Sequence, residues 1–281
     1  MDTHVFLAVL LAAALHAGWN ATLKVRLEPL RAITLVSIAS AVPAIATLTF
    51  VPLPASAAWP YIAASLIIHL VYYIALAEAY RTGDLGQVYP IARGSAPLMT
   101  AVGALAVLGE GLKPAGFLGV ALLALGVILL SLRGGRVGGR FETRAVAFAL
   151  VTALSISTYS IIDGIGVRST PVALSYIGWL FLFDGLMMLA FGAWRYGGTL
   201  WTDFRGNVGT VLIGGAMAAA AYAIALWAMA QAPIALVAAL RETSVLFAAL
   251  IGMIFLKEPL VPVRIAAALV VCAGVGLLRL A

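Results

Sequence analysis

The sequence predicts an all-α integral membrane protein with ten transmembrane helices, laid out as two five-helix units of opposite topology. Three observations lead there. Of the 281 residues 64% are apolar and only 10% charged, with a mean hydropathy of +1.10, whereas a soluble domain is about 45–50% apolar and about a quarter charged. So little charge cannot cover a water-facing surface. Apolar runs of about twenty residues, each long enough to cross a ~30 Å hydrocarbon core, recur from end to end. Short motifs also repeat at one offset on either side of a Gly-rich, basic stretch in mid-chain.

The first run, 5–23, begins close to Met1, but its leading stretch carries Asp2 and His4 and no Lys or Arg, and apolar character continues past any leader length toward Lys24. It is a spanning helix rather than a cleaved leader. His16 and Asn20 lie one turn apart on it, with Trp19 on the same broad face. A centred charge costs about 2.5–3.5 kcal/mol on insertion scales, so polar groups inside a span turn to a cavity or a partner. Trp19 either stacks on a substrate there or anchors the helix at the interface. The second run, 33–52, is almost wholly apolar. In the third, 58–80, His69, Tyr72, Tyr73 and Tyr80 trace one helical face, and Glu78 lies near the helix end. The fourth, 88–108, opens with Tyr89, Pro90, Arg93 and Ser95 close together. Pro90 frees backbone groups that a neighbour or water must satisfy, which suits a bend lining a cavity. In the fifth, 114–132, Gly119 and Gly126 permit close helix approach.

The sixth run, 145–162, carries Ser155, Ser157, Thr158, Tyr159 and Ser160, and Asp163 follows it. The seventh is 172–194 and holds Asp184. The eighth, 208–230, holds Tyr222 and Trp227, the ninth, 234–256, holds Arg241 and Glu242, and the tenth, 263–280, holds Gly274. Glu110 and Glu258, just ahead of the fifth and tenth runs, read as negative charges at positive helix N-termini. Every loop is short, so no extramembrane domain fits, and unbroken apolar runs in lipid mean helices.

The stretch 134–144 reads as a flexible linker between units 1–133 and 145–281. At an offset of 148 residues, Glu110 falls on Glu258, Pro114 on Pro262 and Arg93 on Arg241; at 150, Tyr72 falls on Tyr222. A unit with an odd number of spans, repeated once, must sit upside down in its second copy. Such inverted repeats carry substrate near the bilayer midplane, at the repeat interface. Twelve of the seventeen Lys and Arg residues fall on the linker side of the membrane and three on the other; Arg93 and Arg241 lie within spans, one expected near each face. The positive-inside rule then puts the linker in the cytoplasm and both termini outside, in the cell (inner) membrane.

The net charge of +6 is scattered between apolar runs and forms no stripe, so nucleic acid is not a partner. Cys272 is the only cysteine, no paired His, Cys or carboxylate spacing suits a metal, and no phosphate-binding loop is present; neither metal nor cofactor is expected. Ser95 with His16 or His69 is the one constellation an intramembrane hydrolase could draw on, and it lacks a nucleophile elbow.

The two Glu-containing helix-entry motifs, the ten-run pattern, the basic linker, and Trp19 with Lys24 in the first run together resemble the drug/metabolite transporter superfamily, specifically its ten-helix EamA-type members, over essentially the whole chain. The nearest resemblance is to aromatic amino-acid exporters of the YddG type. It implies a central cavity bounded by spans one, three, four and six, completed by eight and nine, with five and ten as scaffold. The expected function is that of a carrier, exporter or facilitator, for small metabolites, foremost amino acids including aromatic and apolar ones, working as a monomer. A proton-coupled multidrug or metabolite antiporter is the alternative; a hydrolase or a non-transporting receptor is more remote. The expected cavity lining is His16, Trp19, Asn20, His69, Tyr72, Tyr73, Tyr89, Ser95, Thr158, Tyr159 and Trp227. The expected gate or coupling groups are Lys24, Glu78, Arg93, Asp163, Arg241 and Glu242, with Asp163, Asp184 and Glu242 as the intramembrane carboxylates. A cysteine placed after Gly135 in intact cells should react only with a membrane-permeant reagent; labelling by an impermeant one reverses the orientation.

Overall fold

The structure is a computed structural model that describes residues 1–22, 27–83, 85–131, 142–256 and 262–280. Lys24, Lys257, Glu258 and most of the linker lie outside the described residues. The described chain is helical throughout: α1 (Thr3–Thr22), α2 (Pro29–Leu48), α3 (Trp59–Thr82), α4 (Leu85–Leu108), α5 (Pro114–Ser131), α6 (Thr143–Arg168), α7 (Ala173–Tyr196), α8 (Thr199–Gly206), α9 (Val208–Met229), α10 (Ile234–Arg241), α11 (Ser244–Leu256) and α12 (Pro262–Leu280). Eight spans among them are long and apolar enough to cross a membrane, α10 and α11 together counting as one; α5 and α12 are shorter apolar helices.

Each expected run contains a helix, with three instructive differences. Helix α6 continues six residues beyond 162, through Asp163, Gly164 and Gly166. These residues suggest a helix end when read locally, but here they are contact points. A Cβ on Gly166 would lie 2.3 Å from Cε2 of Tyr176, and one on Gly164 would lie 2.3 Å from Cδ1 of Ile234. The ninth run is not one helix: α10 stops at Arg241 and α11 starts at Ser244. Glu242 and Thr243 bridge them with tight turns, their amides donating to the carbonyls of Ala239 and Leu240 at 3.0 and 3.1 Å. Helix α8, short and amphipathic, has no counterpart in the expected runs.

The polarity of the fold is that of a lipid-solvated bundle. Leu7, Leu11, Ile45, Ile67, Val102, Leu105, Leu154, Ile213 and Leu269 point outward, while Thr34, Ser65, Thr100, Asp163, Ser175 and Glu242 are buried. Lipid tails are as apolar as leucine, so helices associate through close packing and polar contacts instead of through exclusion from water. Small residues supply the closeness. Helix α9 approaches α2 at Gly215, whose carbonyl accepts from Ser40 Oγ at 3.0 Å, and α7 approaches α2 at Gly185, against Ala41. Helix α5 meets α12 through Gly119, Gly126 and Gly274, backbone nearly on backbone.

The two ends of the bundle differ. At one, Arg279 near the end of α12 donates to the carbonyl of Met1 at 2.7 Å and to Thr3 at 2.6 Å, which brings both termini together. The largest apolar cluster fills this end, with Val5, Val9, Ile62, Tyr176, Leu180, Leu226, Met229 and Ile234. At the linker end, ion pairs join Arg31 to Asp203 at 2.8 Å and Glu78 to Arg81 and Arg144 at 2.7 and 3.8 Å.

Because Gly274 faces Gly119 with no room for a side chain, Gly274→Leu should destabilise the protein by about 1–3 kcal/mol. Thermal unfolding in detergent checks this, with Gly276→Leu, which meets open space, as a control expected to melt like the parent.

Candidate functional site

An interior cavity of about 110 Å³ lies between α1, α2, α3, α6, α7, α9 and α10. Trp19, Ile33, Val36, Tyr72, Tyr159, Phe181 and Tyr222 give it an aromatic and apolar wall, interrupted by His16, Ser37, Ser40, His69, Tyr73, Asp184 and Arg241. It extends toward the linker end, where Trp19 and Ile33 stand. Toward the termini it is backed by the large apolar cluster.

The polar groups form two networks. In the first, Asp163 is wholly buried behind the wall. Its Oδ1 accepts from the Tyr176 hydroxyl at 2.8 Å and its Oδ2 from the Tyr222 hydroxyl at 2.5 Å. Nε2 of His69 lies 3.8 Å from that same Oδ2, and Nδ1 lies 3.3 Å from Oδ1 of Asp184. The second contact is close but not aligned for a hydrogen bond, so His69 Nδ1 and Asp184 Oδ1 are both buried without a hydrogen-bond partner. The other oxygen of Asp184 accepts from the Tyr73 hydroxyl at 3.0 Å, which accepts in turn from Ser37 at 3.2 Å. An imidazole thus stands between two buried carboxylates drawn from different helices, with Tyr159 edge-on to its ring at 4.6 Å.

In the second network, Arg93 of α4 pairs with Glu242 at the α10–α11 break, Nε to Oε2 at 3.0 Å. Arg93 also reaches Nε2 of His16 at 3.4 Å, while Nδ1 of His16 accepts from the Trp19 indole at 3.3 Å. Both neighbours of His16 are donors, and a neutral imidazole accepts at one nitrogen only, so it satisfies one of them at a time. Arg241 packs over the Tyr222 ring at 5.0 Å and has no carboxylate within ion-pair reach among the described residues. Arg93, Arg241 and Glu242 share a smaller cavity with Pro97, Thr100 and Ser160. The expectation that the two arginines sit near opposite membrane faces is therefore corrected: Arg93 of α4 and Arg241 beside the α10–α11 break turn inward to one place.

At the termini end, Arg168 donates to the carbonyls of Met229 and Ala232 at 2.7 and 2.9 Å and pairs with Glu110. The other Glu110 oxygen accepts from the Ile234 amide at 3.0 Å. Glu110 thus caps α10, not the nearby α5 as expected; Glu258 lies outside the described residues.

Of the expected lining, His16, Trp19, His69, Tyr72, Tyr73 and Tyr159 face the main cavity. The others lie elsewhere. Asn20 is exposed and donates to the His16 carbonyl at 2.8 Å; Thr158 turns back to the Leu154 carbonyl; Trp227 packs against His4, ring centroids 6.1 Å apart. Tyr89 and Ser95 are half-buried on α4 without lining either cavity, and Glu78 belongs to the ion pairs at the linker end. The wall also includes Ser37, Ser40, Phe181 and Asp184 from α2 and α7, helices that the implied cavity omits. Asp184 carried a signal, a carboxylate in mid-run. Tyr176 carried none.

Glu242→Gln leaves Arg93 buried without a counter-ion and should cost about 3–5 kcal/mol. The Arg93→Met/Glu242→Gln double variant should recover much of this in detergent thermal denaturation, and equal losses in the two would mean the charges are not coupled.

One solved crystal structure of a protein superposes on this chain with a TM-score of 0.75, over 99% of this chain and 96% of its own length, at 15% identity, a likeness of fold alone. No curated protein matches the chain. Residues 143–280, which contribute Tyr159, Asp163, Asp184, Tyr222, Arg241 and Glu242, match the EamA-like transporter family. Residues 143–280, which carry four of the eight apolar spans and part of the buried polar cavity wall, are thus similar to the EamA-like transporter family.

Proposed function

We propose that the chain is a secondary carrier of small zwitterionic metabolites, exporting or equilibrating amino acids with apolar or aromatic side chains. The observation that carries this reading is a cavity with Asp184 and His69 on one wall, Arg241, which has no carboxylate in ion-pair reach among the described residues, on another, and aromatic rings between them. A substrate ammonium suits Asp184, its carboxylate suits Arg241, and Trp19, Tyr72, Tyr159 and Phe181 offer an apolar seat for the side chain. A sugar calls for many more amide and carboxyl groups. A phosphate calls for several free cations, and Glu242 neutralises one of the two arginines. Ligand pockets run to about 300–1,000 Å³, so this cavity suits a compact amino acid, and an aromatic one requires its walls to part.

The proposed architecture is ten spans in two halves, 1–133 and 145–281, inverted relative to each other. Helix pairing supports it: α5 packs on α12 and α2 on α7, while the contacts of α3 and α4 with α6 are matched by those of α9 and of α10 and α11 with α1. Exchange of the halves about an axis in the membrane plane maps each of these pairs onto another or onto itself. The cavity runs toward the linker end and is sealed at the termini by the apolar cluster and the Arg168–Glu110 clasp, which is the arrangement of one of two alternating states. Loop charge favours an inner-membrane setting with the termini outside.

Flux of labelled L-valine and L-phenylalanine into proteoliposomes tests the function. Trp19→Ala and His69→Ala should reduce it, and Arg241→Gln should raise KM by about tenfold or more, the loss of a charged hydrogen bond. Unchanged flux in all three folded variants overturns the site, and flux of neither amino acid by the parent overturns the substrate class.

A further inference from the structure

We propose that His69, held between Asp163 and Asp184, is the seat of a transported proton, and that this proton leaves as a substrate ammonium takes its place on Asp184. The exchange rests on the amino-acid reading above; the proton seat does not.

Charge and geometry point the same way. Among the described residues the polar interior contains Arg93 and Arg241 against Asp163, Asp184 and Glu242, one negative charge in excess. An uncompensated charge away from water is costly, and one added proton removes it. The position of His69 selects the group that holds it. Nε2 faces Asp163 at 3.8 Å and Nδ1 faces Asp184 at 3.3 Å, and only the doubly protonated ring presents an N–H toward both carboxylates. His69 Nδ1 and Asp184 Oδ1 are more than nine-tenths buried and lack hydrogen-bond partners. They form an unfinished pair, which a small realignment of a charged imidazole completes.

The surrounding groups agree. Facing the ring are Tyr72 and Tyr73 from α3, Asp163 and Tyr159 from α6, Asp184 from α7, Tyr222 from α9 and Arg241 from α10. Of these only Arg241 opposes a positive charge, and two carboxylates flank the ring. The polar chain runs to both sides of His69 within the bundle, and on the termini side it stops at the apolar cluster that holds Tyr176. His69 and Asp184 line the cavity that extends toward the linker end, while Asp163 and Tyr176 continue the chain of polar groups from His69 into the first turn of α7, on the termini side. An imidazolium and a substrate ammonium sharing Asp184 repel each other, so the site alternates between them. One proton then moves in for each amino acid that moves out, with no bond chemistry beyond protonation of the imidazole.

The full chain, reconstituted with a pH-reporting dye inside the vesicles and L-valine as probe, tests this. A one-unit pH gradient should sustain up to about tenfold accumulation of L-valine, with close to one proton moved per valine. In His69→Gln the protons moved per valine carried should fall to zero. Counterflow of L-valine that ignores the gradient overturns the coupling and leaves the substrate reading standing. The charge of the site is read separately by ¹⁵N-histidine magnetic resonance, His69 being the signal missing from His69→Gln. An imidazolium at pH 7 that loses its proton on addition of L-valine supports the proposal, and a neutral ring in the empty protein overturns it. An imidazolium in a protein that neither binds nor moves valine or phenylalanine upholds the proton seat and removes the amino-acid reading.

Discussion

A carboxylate in hydrocarbon has no water to turn to, and Asp163 shows what a bundle must do about it. Its oxygens are met by hydroxyls of Tyr176 on α7 and Tyr222 on α9 and by the imidazole of His69 on α3, so one buried group on α6 ties together four helices. Each partner must arrive at bonding distance, and that dictates the packing around it. Gly166 and Gly164 follow from the same demand: one and three residues after Asp163, side chains at Gly164 and Gly166 would collide with Ile234 and Tyr176. The polar centre and the small residues near it are two parts of one solution to the cost of unsatisfied charge.

The break between α10 and α11 extends this logic. In a continuous helix Arg241 and Glu242 would leave the axis about 100° apart with their backbone groups fully engaged. The tight turns at Glu242 and Thr243 release that constraint: Glu242 reaches Arg93 on α4 while Arg241 covers Tyr222 at the cavity wall. Irregular backbone at membrane depth is tolerated where protein or a cavity surrounds it. Here it does so within the family-matched part of the chain, and the pairing it permits leaves Arg241, among the described residues, without a carboxylate in ion-pair reach at the cavity wall.

The ends of the bundle are built differently from its centre, which bears on movement. Toward the termini, large apolar side chains interlock and Arg168 clasps two carbonyls and Glu110. Toward the linker end, the contacts are ion pairs among half-exposed side chains, individually worth only ~0–1 kcal/mol. A carrier that alternates needs seals that open without dismantling its core, and under the proposed function the clasp, which joins α6 to the start of α10, is one such seal.

Much of this protein is legible in one dimension. Span positions follow from hydropathy and length, which are local properties, and nearly every apolar run became a helix with ends displaced by a few residues. The intramembrane polar residues also announce themselves, because a charge or imidazole in lipid is too costly to be incidental; His16, Trp19, His69, Tyr72, Tyr73 and Tyr159 do face the cavity. What sequence spacing defines is a face relative to its own helix, never the neighbour that face will meet. Whether Arg93 and Arg241 diverge or converge, whether Trp227 turns to the cavity or to His4, and whether Glu110 caps α5 or α10 depends on partners tens to hundreds of residues away. Asp184 stood out as a carboxylate in mid-run, but its place on the cavity wall, and the part of Tyr176, came only from the tertiary structure for the same reason. The polar groups that complete Asp163 and His69 come from separate helices, and helix approach is decided by packing of small residues whose pattern looks alike on every apolar run.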